Sequence, residues 1–233
     1  MTKSSRTIQI QSDYVRAYGT IDLHQVTVQR SDLYIRTLLY DLDITPKNNW
    51  VDFSNVFMYL TGQPIHCFDA ATIQGDIIVR QAHAGETFVD LHGKEHSLLP
   101  SDIVIADTKG VIALAGIIGG ERTAVSSSTT TIVVEIANFD PVTVRRTGTR
   151  LGLRTDAELR FEKMINPLFS LAMIPHLMDT LSYVDQTKTV TFGGITWRAD
   201  SNATTAMPRL PYERKRIGEL LRGTNQPQDA ESI

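Results

Sequence analysis

Glu135 is a charged residue in an apolar stretch of the sequence. It stands in the run from Ile132 to Ile136, whose β-branched residues indicate a strand. Alternation along a strand places Glu135 on the same face as Val133, which predicts a partly buried carboxylate. Such a group must find a hydrogen-bond donor, because burying it unpaired costs free energy. Periodicity alone also allows a glutamate on a solvated strand face.

A glycine-rich segment, Ala115-Gly116-Ile117-Ile118-Gly119-Gly120, is the second candidate for chemistry. Glycine lets the backbone approach a ligand closely and adopts a positive φ without penalty. The amides of Ala115 and Gly116 could therefore hold a substrate or polarise an ester carbonyl, as an oxyanion hole does. Taken alone, the segment also fits an ordinary turn.

His66 and Asn55 could form a hydrogen-bonding wall. His66 follows a Gly-Gln-Pro turn, and Asn55 shares a predicted helix face with Val51 and Met58. An imidazole with a pKa near 6.5 suits either substrate orientation or proton transfer, and we favour orientation. Each of the two side chains, taken alone, could equally be a satisfied structural group.

Nucleophilic and metal-assisted chemistry are less favoured by the sequence. Cys67 is expected to be a small packed side chain and not a nucleophile. His92 and His96 are four residues apart, with His83 nearby, but Gly93 interrupts them at a predicted hairpin turn. We therefore expect no metal site.

The elements that must position these residues are mainly strands. Short apolar runs separated by turn signals extend from Ile77 to Val134, and a closing strand is expected from Thr189 to Trp197. This spacing predicts an α+β fold with a β-rich, sandwich-like core flanked by helices. Helices are expected after Ser31 as N-cap, at about 50–61, 141–147 and 156–183, the last broken near Pro167 and Pro175.

Composition indicates an ordinary globular protein. The chain has 233 residues, of which 42% are hydrophobic and 21% charged, with a formal net charge of −3. This balance argues against a dedicated nucleic-acid binder, so that any RNA contact must come from a local basic patch. The single cysteine, the polar N-terminus and the absence of a long apolar run predict a cytoplasmic protein with no membrane contact.

We expect three segments along the chain. Residues 1–197 form the main domain, and residues 198–208 have the polar, small-residue composition of a linker. Residues 209–233 are too few to hold a core and are expected to be the cut-short start of a further domain. A basic group within this segment comprises Arg209, Arg214, Lys215 and Arg216.

Five strings, in order, resemble the β subunit of bacterial phenylalanyl-tRNA synthetase. The first two are N-N-W-V-D-F-S-N at 48–55 and G-Q-P-I-H-C-F-D at 62–69. The others are A-G-I-I-G-G at 115–120, V-E-I-A-N-F-D-P at 134–141 and R-L-G-L-R-T-D-A-E-L-R-F-E at 150–162. In that family this stretch is the B3/4 editing domain, which hydrolyses tyrosine wrongly attached to phenylalanine tRNA. The resemblance also implies the sandwich-like fold.

The resemblance implies a role for each candidate residue. Glu135 would hydrogen-bond the tyrosine phenol, and Ser54, Asn55, His66, Ala115 and Gly116 would complete the substrate site. We expect no dedicated triad: the pocket positions a water against the ester, with His66 and Gly116 as orienting and oxyanion candidates. No cofactor is expected in this chain, since ATP and Mg belong to the synthetic site elsewhere in the enzyme.

The resemblance further implies partners, namely phenylalanine tRNA mischarged with tyrosine and an α subunit in an α2β2 assembly. The isolated chain is expected to be a monomer. The basic stretch with Arg145, Arg146, Arg150 and Arg154 could contact tRNA phosphates or could pair with Asp156, Glu158 and Glu162.

Two alternative functions stay open on the sequence. One is a non-catalytic scaffold that docks tRNA or the α subunit, and the other is a free-standing deacylase that acts in trans. The presence of Asn55, His66, Gly116 and Glu135 together argues against the scaffold, because an unused pocket has no physical reason to keep unpaired polar groups. The expected start of a further domain argues against the free-standing enzyme.

Overall fold

Two β-sheets packed face to face form the centre of the protein. The computed structural model describes residues 6–184 and 190–199. One hydrophobic cluster lies between a five-stranded and a four-stranded sheet, and a second lies between the four-stranded sheet and two helices. The predicted α+β fold, a sandwich-like β core flanked by helices, is confirmed.

The four-stranded sheet has the order β11-β2-β10-β3, and every neighbouring pair is antiparallel. Along β10, Val133 and Ala137 face the other sheet, whereas Val134 and Ile136 face the helices. Glu135 therefore points between the sheets, on the face that its alternation with Val133 predicts. The strands are β2 (Val15–His24), β3 (Ile65–Asp69), β10 (Thr131–Phe139) and β11 (Thr191–Ala199).

The five-stranded sheet has the order β1-β4-β7-β8-β9. Its first pair is parallel and the others are antiparallel. The strands are β1 (Ile8–Ile10), β4 (Ile77–Gln81), β7 (Ile103–Asp107), β8 (Gly110–Leu114) and β9 (Ile118–Gly119). A separate hairpin joins β5 (Thr87–Val89) to β6 (Glu95–Ser97), and a 3-10 turn spans Glu121–Thr123.

Helix α1 (Leu33–Asp41) begins one residue later than predicted. Its N-cap is Asp32, whose side chain accepts a hydrogen bond from the Ile35 amide at 2.8 Å. The predicted cap, Ser31, is buried and donates its hydroxyl to Asp52 at 2.6 Å. Because the Ser31 hydroxyl is engaged by a residue of the next helix, the neighbouring carboxylate takes the capping position.

Helix α2 (Asn49–Thr61) is capped by Asn48 and ends at Gly62, which has φ +77°. Its buried face carries the aromatic residues Trp50, Phe53 and Phe57, which pack in the cluster between helices and sheet. Asn55 is half-buried, as is Val51, with which it shares a helix face, while Met58 on the same face is buried. The large aromatic side chains set the orientation of the helix, since they bury the most apolar area.

Three further helices follow β10: α3 (Pro141–Leu151), α4 (Asp156–Phe161) and α5 (Pro167–Val184). The break at Pro167 is confirmed, but the break predicted at Pro175 is wrong, because Pro175 lies inside α5. Its neighbours Ile174 and Leu177 are buried against the four-stranded sheet. This packing holds the helix on both sides of the proline, so tertiary contacts override the local preference.

The C-terminal predictions fall mostly outside the described residues. Strand β11 ends at Ala199, two residues beyond the expected domain end at 197. The remainder of the expected linker and the segment 209–233, with Arg209, Arg214, Lys215 and Arg216, lie outside the part that the structure describes. Across residues 6–184 and 190–199, no helix has the length and apolar character needed to cross a membrane.

Candidate functional site

A cavity of about 60 Å³ lies where the two sheets meet helix α4. Three of the predicted site residues line it together: His66, Gly116 and Glu135. They come from β3, from the turn after β8 and from β10, so the fold assembles them from distant parts of the chain. The remaining lining residues are mostly apolar: Pro64, Ile65, Ile105, Ala113, Leu114, Ile117, Ile118, Gly119, Ala157 and Phe161.

Glu135 provides the carboxyl group of the cavity. Its residue is 7% exposed, and its Oε2 accepts a hydrogen bond from the Tyr18 hydroxyl at 3.0 Å. In the described part of the chain, no residue hydrogen-bonds to Oε1. Burial raises the pKa of Glu135 to about 8, and the hydrogen bond from Tyr18 opposes that rise. At pH 7 the group is therefore mainly a neutral carboxylic acid that can donate or accept.

His66 lies beside Glu135, because the two residues are opposite each other in the β3–β10 register. Its ring packs edge-on against Phe68 with centroids 4.5 Å apart and lies in direct contact with Gly119, where a side chain would displace it. Burial lowers the pKa of His66 to about 4, so the ring is neutral at pH 7. Its Nε2 is buried without a hydrogen-bond partner among the described residues.

Gly116 forms a cavity wall that requires glycine. Its φ is +71°, and a methyl group there would lie 3.0 Å from Phe161 and 3.1 Å from Phe139. Within the described residues its amide makes no hydrogen bond, so this N–H can meet a ligand. The amide of Ala115, in contrast, donates to the Ile103 carbonyl at 3.1 Å, and Ala115 does not line the cavity. Of the two predicted backbone donors, Gly116 lines the cavity and has its amide unbonded among the described residues, whereas Ala115 does neither.

Ser54 and Asn55 are not brought into the cavity wall. Both lie on α2, and neither is among the residues that line the cavity. The Ser54 hydroxyl donates to the Val51 carbonyl one turn back in its own helix, at 2.7 Å. The predicted hydrogen-bonding wall therefore consists, in this structure, of His66 without the two α2 side chains.

Among the residues in or beside the cavity that the sequence analysis did not single out are Tyr18, Ala157 and Phe161. Ala157 and Phe161 lie within the last of the five strings, which was the available signal for them. Tyr18 had no such signal, because its position beside Glu135 follows from the pairing of β2 with β10, more than a hundred residues apart.

The overall similarity of the chain extends well beyond the cavity. The profile of the B3/4 domain matches residues 14–185. The chain belongs to the B3/4 domain family. The phenylalanine–tRNA ligase β subunit of Solibacter usitatus is 47% identical over 151 residues, which are 64% of this chain and 20% of that protein. The subunit of the same name from Staphylococcus aureus is 40% identical over 183 residues, 78% of this chain and 22% of that protein.

The chain spans about a fifth of the length of these curated relatives. A crystal structure of an N-terminal fragment of the phenylalanyl-tRNA synthetase β-subunit from Pyrococcus horikoshii is similar with a TM-score of 0.40 and 16% identity. That match covers 65% of this chain and 49% of that one, and it is too weak to carry a conclusion. The predicted resemblance to phenylalanyl-tRNA synthetase β subunits is confirmed by the curated relatives and the family match.

Cys67 lies on the face of the B3/4 domain sheet that is turned away from the cavity. It is 6% exposed and packs in the cluster between the four-stranded sheet and the helices. Burial raises the pKa of its thiol to about 12, so that the nucleophilic thiolate is scarce at neutral pH. The structure thus confirms the expected small packed side chain.

His92 and His96, two of the three histidines considered for a metal, have different surroundings in this B3/4 domain. His96 is buried and its Nε2 lies 2.7 Å from Asp90 Oδ2. His92, in contrast, is exposed in the turn between β5 and β6, as Gly93 predicts. No cluster of three or more His, Cys, Asp or Glu residues suited to a metal ion occurs in the part of the chain that the structure describes.

The four arginines predicted as candidate tRNA contacts fall into two groups. Arg150 donates to Asp102 and to the Ser97 carbonyl, and Arg154 pairs with Glu158 and Glu162 at 3.2 Å each. These two arginines therefore make structural ion pairs. Arg145 and Arg146 are exposed on α3 and form no ion pair within the described residues; with Arg150 they line a surface groove of about 630 Å³.

Proposed function

We propose that this chain contains the editing domain of a phenylalanyl-tRNA synthetase β subunit and hydrolyses tyrosine from mischarged phenylalanine tRNA. The observation that carries the proposal is the Glu135 carboxyl: it lines the cavity, is 7% exposed and keeps Oε1 without a protein partner. The names of the curated relatives and the B3/4 family membership support the same assignment.

Glu135 gives the cavity a means to distinguish tyrosine from phenylalanine. The tyrosine phenol pairs with Oε1, whereas phenylalanine covers that oxygen without pairing it. Leaving a buried polar atom unpaired costs about 1–3 kcal/mol. A pocket built to hydrogen-bond a hydroxyl can therefore reject the analogue that lacks it far better than a hydrophobic pocket rejects the added hydroxyl. This asymmetry is why a second, polar pocket is useful beside a synthetic site made for phenylalanine.

Hydrolysis proceeds by addition of water to the ester carbonyl, in our proposal. The bond between the carbonyl carbon and the ribose oxygen then breaks, which gives free tyrosine and the ribose hydroxyl. The amide of Gly116 donates to the developing oxyanion. His66, neutral and with a pKa of about 4, is too weakly basic to remove a proton at neutral pH, so it orients the substrate through Nε2. The neighbouring ribose hydroxyl of the terminal adenosine assists the water.

The proposal includes the partners and the location of the protein. Arg145 and Arg146 contact tRNA phosphates, since these two arginines are exposed and form no ion pair in the described part of the chain. As part of the whole synthetase, the domain works in the cytoplasm in an α2β2 assembly with the α subunit. Hydrolysis requires water alone, and ATP and Mg serve the synthetic site elsewhere in the enzyme.

The test is hydrolysis of tyrosyl-tRNA, prepared on phenylalanine tRNA, by this chain and by Glu135→Ala. We expect the variant to lose roughly tenfold to a hundredfold in rate, which corresponds to the cost of one buried hydrogen bond. Glu95→Ala, at an exposed position on β6, is the matched control and should retain the full rate. Equal rates for Glu135→Ala and the wild-type protein would contradict the proposal.

A further inference from the structure

Tyr18 is a fully buried residue whose hydroxyl contacts the Glu135 carboxyl on the side away from the cavity lining. It lies on β2, is 0% exposed, and its ring packs against Phe139 with centroids 6.4 Å apart. In the β2–β10 register Tyr18 is opposite Ala137, which is two residues from Glu135 on the same face of the strand. Its hydroxyl lies 3.0 Å from Glu135 Oε2, and Tyr18 itself does not line the cavity.

This arrangement distinguishes the two carboxyl oxygens of Glu135. Burial and the nearby carboxyl raise the pKa of Tyr18 well above its ordinary value, so the phenol stays protonated and can donate to Oε2. The Tyr18 hydroxyl thus engages Oε2. No described residue hydrogen-bonds to Oε1, so Oε1 is the oxygen left for a ligand.

We propose that Tyr18 is a specificity-determining positioning residue, which holds Oε2 of Glu135 so that Oε1 alone is presented to the hydroxyl of a phenolic ligand. The orientation of the carboxyl is a property of the protein by itself. Its use for selecting tyrosine rests on the proposed function. Without the Tyr18 hydroxyl, either oxygen could face the cavity, and part of the ordering would have to be achieved when the ligand binds.

Few other groups can influence the titration of Glu135. On β2, Thr20 lies opposite Glu135, and Asp22 follows two residues after Thr20 on the same face of the strand. From β3 comes His66, and the opposite sheet and α4 contribute apolar lining residues, among them Ile105, Leu114 and Phe161. Among the described residues, Tyr18 is the one that donates a hydrogen bond to the Glu135 carboxyl. Its removal should therefore change the titration directly.

The first experiment measures the titration of Glu135 by carbon-13 NMR of the side-chain carboxyl. In the wild-type protein we expect a midpoint at about pH 8. In Tyr18→Phe the midpoint should rise by about one pH unit, because a hydrogen bond that favours the ionised form is lost. Tyr59→Phe is the matched control: its hydroxyl lies 3.1 Å from Asp156, neither residue lines the cavity, and its loss should leave Glu135 unchanged. An unchanged midpoint in folded Tyr18→Phe would overturn the proposal.

A second measurement needs no variant and therefore does not depend on how well Tyr18→Phe folds. The Cζ signal of Tyr18 in the wild-type protein should move with the same midpoint as the Glu135 carboxyl, since the two groups share one hydrogen bond. A Tyr18 signal that stays fixed while Glu135 titrates would also overturn the proposal.

Measurements of amino-acid binding separate this inference from the proposed function. The ratio of tyrosine to phenylalanine affinity should fall about fivefold to tenfold in Tyr18→Phe, with Tyr59→Phe unchanged. A wild-type protein that binds neither amino acid would contradict the proposed function, whereas the NMR midpoints would still decide the role of Tyr18. If the midpoint shifts but the affinity ratio stays constant, Tyr18 sets the ionisation of Glu135 and the specificity part is wrong.

Discussion

The burial of Glu135 makes the stability of the protein depend on pH. In the folded protein the pKa is raised from about 4.5 to about 8, so the native state keeps a proton that the unfolded state has released. Stability contributed by the neutral acid is fully present below about pH 4.5 and is lost as the pH rises through about 8. The side chain that we propose to recognise a hydroxyl thus also weakens the fold at alkaline pH.

Glu135→Gln removes this titration and keeps the shape of the side chain. We expect the free energy of unfolding of the wild-type protein to fall by a few kcal/mol, relative to Glu135→Gln, between pH 5 and pH 9. Urea unfolding at a series of pH values measures the difference. For Glu95→Gln, at an exposed position, the free energy of unfolding should change with pH as it does for the wild-type protein. A difference between wild type and Glu135→Gln that is constant with pH would show that Glu135 is not buried as described.

At the scale of elements, the turn between β8 and β9 forms one wall of the cavity. Gly116 combines a positive φ with close packing against Phe161, Phe139 and Val144. Gly152, at the end of α3, has a similar φ of +66° but has no atom near the position that a side chain would take. Substituting each of the two glycines therefore distinguishes the cost of backbone strain from the cost of crowding an added side chain.

Gly152→Ala should destabilise the protein by about 1 kcal/mol, from the positive φ alone. Gly116→Ala should cost about 1–3 kcal/mol more, because the added methyl group also overpacks the wall. Thermal or urea unfolding of the two variants gives the comparison. Equal destabilisation would show that the wall can move aside, and the cavity would then be softer than its geometry indicates.

Much of the fold could be predicted at this scale from local signals. The alternation along β10 correctly placed Glu135 between the sheets, and Asn48 and Gly62 bound α2 as their types indicate. Local signals failed where distant contacts decide. Pro175 lies within a helix that packing holds together, and Asp32 replaces Ser31 as a cap because Ser31 bonds to Asp52.

The candidate site was predictable only in part, for the same reason. His66, Gly116 and Glu135 line the cavity as the strings suggested, while Ala115, Ser54 and Asn55 do not. The amide of Ala115 and the hydroxyl of Ser54 are engaged by neighbouring carbonyls, which no sequence pattern reveals. Tyr18 was missed because strand register is set by the whole sheet.

At the scale of the whole molecule, a chain with a net charge of −3 must attract RNA through a local patch. The exposed pair Arg145 and Arg146 on α3 is the patch that we propose. We predict that changing both to Gln weakens binding of phenylalanine tRNA and lowers the slope of log affinity against log salt by about 1–2. Filter binding over a range of salt concentrations measures this slope.

The control for that prediction removes the same charge from another part of the surface. Lys94 and Lys109 are exposed in turns of the β-sheets, and changing both to Gln should leave the salt slope of tRNA binding unchanged. If the lysine pair lowered the slope as much as the arginine pair, the attraction would reflect overall charge and not a binding surface on α3.

The central claim is that the cavity between the sheets selects tyrosine through Glu135, and titration with free amino acids tests it most directly. We would follow the amide signals of Gly116 and His66 by NMR during titration with tyrosine and with phenylalanine, in the wild-type protein and in Glu135→Ala. The account predicts shifts with tyrosine that are weak or absent with phenylalanine and that are lost in the variant. Shifts of equal size with both amino acids, or no shifts in a folded wild-type protein, would contradict it.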